Sequence, residues 1–79
     1  MEKTYRNKDF YQAVILKTYG LNLVGLERGG EKFVTFVFDD PEGIAENVLK
    51  EYWARNLNIQ ARDLIENISE LKTRIYSGV

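Results

Sequence analysis

The chemistry a short chain can offer starts with its reactive side chains, and here these cluster in Asp39-Asp40-Pro41-Glu42. Three hard carboxylates this close suit Mg²⁺ or Ca²⁺. A calcium loop, however, needs ligands alternating over about twelve residues around a central glycine, and that spacing is missing. The competing reading is structural. Either aspartate can cap a helix that opens with Pro41 in its first turn, where the missing N–H is no loss. Capping accounts for both aspartates, so the expectation is no metal and no cofactor.

The other combinations are weaker still. Arg28-Gly29-Gly30 is too short for a phosphate loop and leads into apolar FVTFVF rather than a helix, so it reads as a hairpin turn. The 79 residues contain neither cysteine nor histidine. Thiol chemistry, disulfides and sulfur-ligated metals are therefore excluded, and so is the side chain best suited to proton transfer near neutral pH. Only carboxylates, lysines, tyrosines and serines remain, and the expectation is not an enzyme.

Binding is the alternative to catalysis. Net charge is −1, without the basic excess typical of a duplex-DNA binder. Its distribution is uneven: Lys3, Arg6, Lys8 and Lys17 dominate the first twenty residues, whereas Glu27, Glu31, Asp39 and Asp40 outweigh Arg28 and Lys32 in the next twenty. Aromatics on a small sheet beside such basic groups can stack bases, which makes Lys3, Arg6, Lys8, Lys32 and Phe33 the candidates for nucleic acid, with Tyr5 beside them. For a protein partner or a homo-oligomer the candidates are Tyr52, Trp53 and Arg55, then Leu71, Ile75 and Tyr76 near the end of the chain. Trp, Tyr and Arg are enriched among binding hot spots, and the Leu64, Ile68, Leu71, Ile75 seam has heptad-like spacing.

These residues need elements to position them. KTYR is long enough for a short edge strand. Asn7 is placed to cap a helix over residues 8–19 that ends at Gly20. Two apolar runs, about 22–28 and 31–38, flank the glycine pair as a hairpin. In the second, Val34, Phe36 and Phe38 share one face, expected under helices, and Phe33, Thr35 and Val37 share the other, expected half exposed. IAENVLKEYWARN carries an apolar stripe of Ile44, Val48, Leu49, Tyr52 and Trp53, with Asn56 as its stop. From Ala61 to Tyr76, apolar residues including Leu64, Ile65, Ile68 and Leu71 recur at helical spacing. The expected fold is α+β, a single domain over 1–79 in the order β-α-β-β-α-α, its small antiparallel or mixed sheet covered by helices. If KTYR pairs with FVTFVF, the phenylalanine strand is central.

No apolar run is long enough to span a membrane, and MEKTYRNKDF lacks a signal peptide's apolar centre, so the expected location is the cytoplasm. The motifs YRNKDFYQAVIL, GLNLVGLER, FVFDDPE, KEYW and ELKTRIY resemble a family of short domains of unknown function, over about Tyr5 to Tyr76. Such domains occur in bacteria, archaea and phage or prophage genomes. The resemblance implies a stand-alone cytoplasmic protein carried on mobile DNA and supplies no catalytic residue. Two functional expectations stand: a small self-associating interaction module, or a nucleic-acid-associated regulator using the basic N-terminal segment and the hairpin.

Overall fold

The computed structural model describes residues 3–29 and 33–77. The elements run β1 (Thr4–Asn7), α1 (Phe10–Tyr19), β2 (Asn22–Arg28), β3 (Val34–Asp39), α2 (Ala45–Trp53) and α3 (Ala61–Ser77). This is the expected α+β order. The sheet is wholly antiparallel with strand order β1-β3-β2, so the phenylalanine strand does lie in the middle. Gly30, Glu31 and Lys32 fall outside the described residues, and with them the tip of the expected hairpin. Its stem closes with the Gly29 N–H donating to the Phe33 carbonyl.

One face of β3 carries the core. Phe36 and Phe38 are buried against Val14, Leu16, Val48, Leu49 and Leu71, with Tyr5, Leu23 and Leu26 packed at the margin. Leu23 and Leu26 sit an odd number of residues apart, which in a regular strand would put them on opposite faces. A bulge solves this. Leu23 pairs with Phe38 and Gly25 with Val37, so Val24 is the extra residue and both leucines face the core.

Helix α1 lies between α2 and α3 and packs on β1. Four consecutive residues, Ala13 to Leu16, are consequently buried, as expected for a helix with neighbours on several sides. Two polar ties lock α1 to α3: the Asn67 amide donates to the Thr18 hydroxyl at 3.0 Å, and Lys17 pairs with Glu70 at 3.6 Å.

Several boundaries differ from expectation. Asn7 does not cap α1. Asp9 does, its carboxylate accepting from the Gln12 N–H at 3.0 Å, while Asn7 accepts the Asp9 N–H and donates to the Gln12 side chain. Asn7 belongs to β1, and the turn it makes postpones the helix to Phe10. Pro41 is not in the first turn of α2. It occupies the second position of a turn closed by the Gly43 N–H on the Asp40 carbonyl, and the helix starts only at Ala45. At the other end of α2, the left-handed residue is Arg55, with φ 63°, rather than Asn56. Ile44 and Trp53 lie outside the buried stripe of Ala45, Val48, Leu49 and Tyr52, because at 3.6 residues per turn each sits about 90° from its centre. Ile65 leaves the α3 stripe for the same reason and is 64% exposed.

Candidate interaction surfaces

The carboxylate cluster has a structural task. Asp40 is 4% exposed, and its two oxygens accept from the backbone N–H groups of Ile44 at 2.8 Å and Ala45 at 3.2 Å. It caps α2 from four residues upstream, where the helix dipole also favours its charge. Glu42 is exposed on the rim of an open cleft of about 290 Å³ walled by Tyr19, Leu21 and Ile44, while Asp39 is half-buried at the end of β3, on the same side of the strand as Val37. Among the described residues no set of three or more Asp or Glu is arranged to hold a metal ion.

The residues singled out for nucleic acid are not gathered on one surface. Arg6 projects from the sheet face opposite the helices, paired there with Val37. Its guanidinium makes a bidentate bridge to Glu27 on β2, both contacts 3.1 Å, and also donates to the Thr4 hydroxyl. The hydrogen bond from Arg6 holds the Glu27 carboxyl below its ordinary range, and the same bond raises Arg6 above its own. Lys3 instead places its ammonium beside Gly43, at the start of α2. Lys8 is exposed between β1 and α1, Phe33 is 66% exposed, and Lys32 lies outside the described residues. Tyr5 is half-buried, packed against the core.

The partner candidates divide more sharply. Leu71 is fully buried and is a core residue, not a surface one. The heptad-like seam of Leu64, Ile68, Leu71 and Ile75 packs inside the fold. Tyr52 is half-buried against the core, its ring centroid 5.3 Å from that of Trp53. Trp53 is 69% exposed, Arg55 is exposed just beyond it, and Tyr76 is 86% exposed. Ile75 is half-buried and joins Phe10, Lys72 and Tyr76 in an apolar groove of about 200 Å³. Arg28 donates to the Ile75 carbonyl, where a cation also suits the negative end of α3. Sequence reasoning misses Tyr11 and Lys72 as surface candidates. Tyr11 is 61% exposed with its ring edge-on to Phe10, and only knowing that α1 is flanked by helices separates its outward positions from its inward ones.

No helix of the described residues is long and apolar enough to cross a membrane. No curated protein and no solved structure matches the chain. One family does match, over residues 2–77, nearly the whole sequence. The chain belongs to the family described as Domain of unknown function (DUF5659).

Proposed function

We propose that the chain is a small, non-catalytic interaction module that associates with copies of itself, acting in the cytoplasm as part of a mobile element or phage. The observation that carries this reading is the supply of large apolar side chains on the helical layer: Tyr11, Trp53, Ile65 and Tyr76 are each more than 60% exposed. Single exposed apolar residues are ordinary, but three aromatics on the helices of so small a fold are the material of binding hot spots. A domain of this size also buries a modest share of its surface alone, and association adds to it. The mobile-element setting rests on the sequence resemblance, and finding phage-type genes beside its own would support it.

The nucleic-acid reading stands second. Exposed Phe33 favours it, while Arg6 already bound to Glu27 and Lys3 set apart at Gly43 weigh against it. Sedimentation velocity across micromolar concentrations decides for or against the first reading. The expected result is a weight-average mass that rises with concentration. A strict monomer that also captures no protein partner retires it. Salt-dependent retardation of a single-stranded probe, lost on reversing Lys3, Arg6 and Lys8, promotes the second.

A further inference from the structure

The corner between α2 and α3 is closed by a weak stop. Helix α2 ends in a Schellman turn: the Arg55 N–H donates to the Tyr52 carbonyl at 3.1 Å, and the Asn56 N–H to the Glu51 carbonyl at 2.9 Å. Glycine usually fills the left-handed position of this motif. Here Arg55 fills it at φ 63°, the one non-glycine with positive φ among the described residues. The apolar contact that often supports such a turn cannot form between Glu51 and Asn56.

No other breaker halts the helix. Residues 44–77 contain neither glycine nor proline, so α2, the corner and α3 can run as one helix. The corner is held shut by Leu57 and Ile59, half-buried at the edge of the core, and by the seat of α3 on α1. A continuous helix carries α3 away from its own body. The buried face of α2 and the Leu64, Ile68, Leu71, Ile75 seam then lie about 120° apart, with Leu71 more than about 25 Å beyond Trp53. The chain's own α1 is out of reach there, and the seam needs another. Trp53 and Leu57 fall on the seam's side of such a helix, which gives the exposed indole a place in the stripe.

We infer that α3 exchanges between two copies. The corner opens into a single helix about 50 Å long over residues 45–77, and α3 of each copy takes the place of α3 on α1 of the other. This rests on the self-association proposed above and names its mechanism. Each polar tie of α3 is remade between chains: Asn67 to Thr18, Glu70 to Lys17, and the Ile75 carbonyl to Arg28. Exchange therefore keeps the contacts of the closed form and relieves the left-handed Arg55. A twofold axis closes the pair, so assembly stops at the dimer. Because α3 must first leave α1 and uncover Leu71, monomer and dimer interconvert slowly.

Cross-linking tests the exchange. The chain has no cysteine, so Lys17→Cys combined with Glu70→Cys supplies a single pair, at positions whose native side chains meet at 3.6 Å. After incubation at high concentration, monomer and dimer fractions are separated by size, treated with a short bis-maleimide and run on a denaturing gel. The monomer should give single chains and the dimer linked chains, while neither single-cysteine variant links. A dimer that gives only single chains keeps each α3 on its own α1, which overturns the exchange while self-association stands. Corner variants give a second readout. Arg55→Gly suits the closed turn and weakens the continuous helix, so it should lower the dimerisation constant about tenfold. Asn56→Ala with Asn58→Ala, both at exposed positions, should raise it about tenfold, with circular dichroism reporting the fold of each variant. A dimerisation constant that ignores both changes also overturns the exchange. A wild type that stays monomeric after the same incubation removes both readings.

Discussion

The two faces of β3 solve one problem in different ways. Toward the helices, Phe36 and Phe38 are buried by packing against residues from every helix. On the other side Val37 is also buried, at 6% exposed, yet no helix of the described residues lies there. Arg6 pairs with Val37, and Glu27 pairs with Thr35 on the same face, so the Arg6–Glu27 bridge has to cross β3 beside Val37. The flanking strands are about 10 Å apart, which an arginine and a glutamate together can span. Gly25, opposite Val37 on β2, brings no side chain into the space, and a Cβ there would meet nothing within 4 Å. One face is thus sealed by a core and the other by a charged strap whose aliphatic stem does the covering. The first should be costly to disturb and the second cheap.

The largest effect belongs to the packed face. Phe38→Ala should lower stability by about 3–5 kcal/mol, because the cavity left under α1 cannot collapse between fixed neighbours. For a domain with a thin margin this approaches complete unfolding. Urea denaturation followed by circular dichroism measures it. A loss below about 1 kcal/mol would mean that the helical layer is not firmly seated on the sheet.

That packed face was legible from the sequence because alternation is local. Val34, Phe36 and Phe38 share a side whatever the tertiary structure, and an edge strand from KTYR is all that makes their strand central. The capping task of Asp40 was legible too, since it is followed by proline, though the turn that delays α2 to Ala45 and the place of Asp39 as the last residue of β3 were not. What escaped depends on distant parts of the chain. The Arg6–Glu27 bridge joins residues 21 positions apart across an intervening strand, and no spacing encodes it. The Val24 bulge appears only once Leu23 and Leu26 must both meet a core. By contrast, Leu71 and Tyr76 are five residues apart, about 140° around α3, so the helical period itself sets a fully buried residue against one that is 86% exposed. Arg55 adopts a left-handed conformation usually left to glycine, which its identity does not announce.

A middle-sized effect tests how well the strap does its work. Val37→Ala removes two methyl groups from beneath it and should cost about 1–2 kcal/mol, well short of Phe38→Ala. Val37→Thr keeps the shape while adding a hydroxyl beside water and the strap, and should fall at the lower end. The same urea experiment compares all three. Val37→Ala matching Phe38→Ala would show that the open face is packed as tightly as the closed one, and the contrast between them would disappear.

The smallest effect concerns the strap itself. Both its ends are solvent-exposed and subject to screening, so its contribution should decline as salt is added. Its signature is better sought in titration. The hydrogen bond from Arg6 depresses the Glu27 carboxyl, so whatever stability the pair adds is present above the ordinary glutamate pKa and lost as pH falls through the lower, folded-state value. Side-chain carboxyl NMR should therefore find Glu27 titrating below the usual range, and Arg6→Gln should bring it back up. The backbone resonances of Val37 and Thr35 should shift in the same low-pH window, since the strap crosses them. Glu27 titrating at its ordinary value in the wild type would mean that the bridge does not persist in water, leaving the burial of Val37 without its cover. The open sheet face would then be a surface in need of a partner.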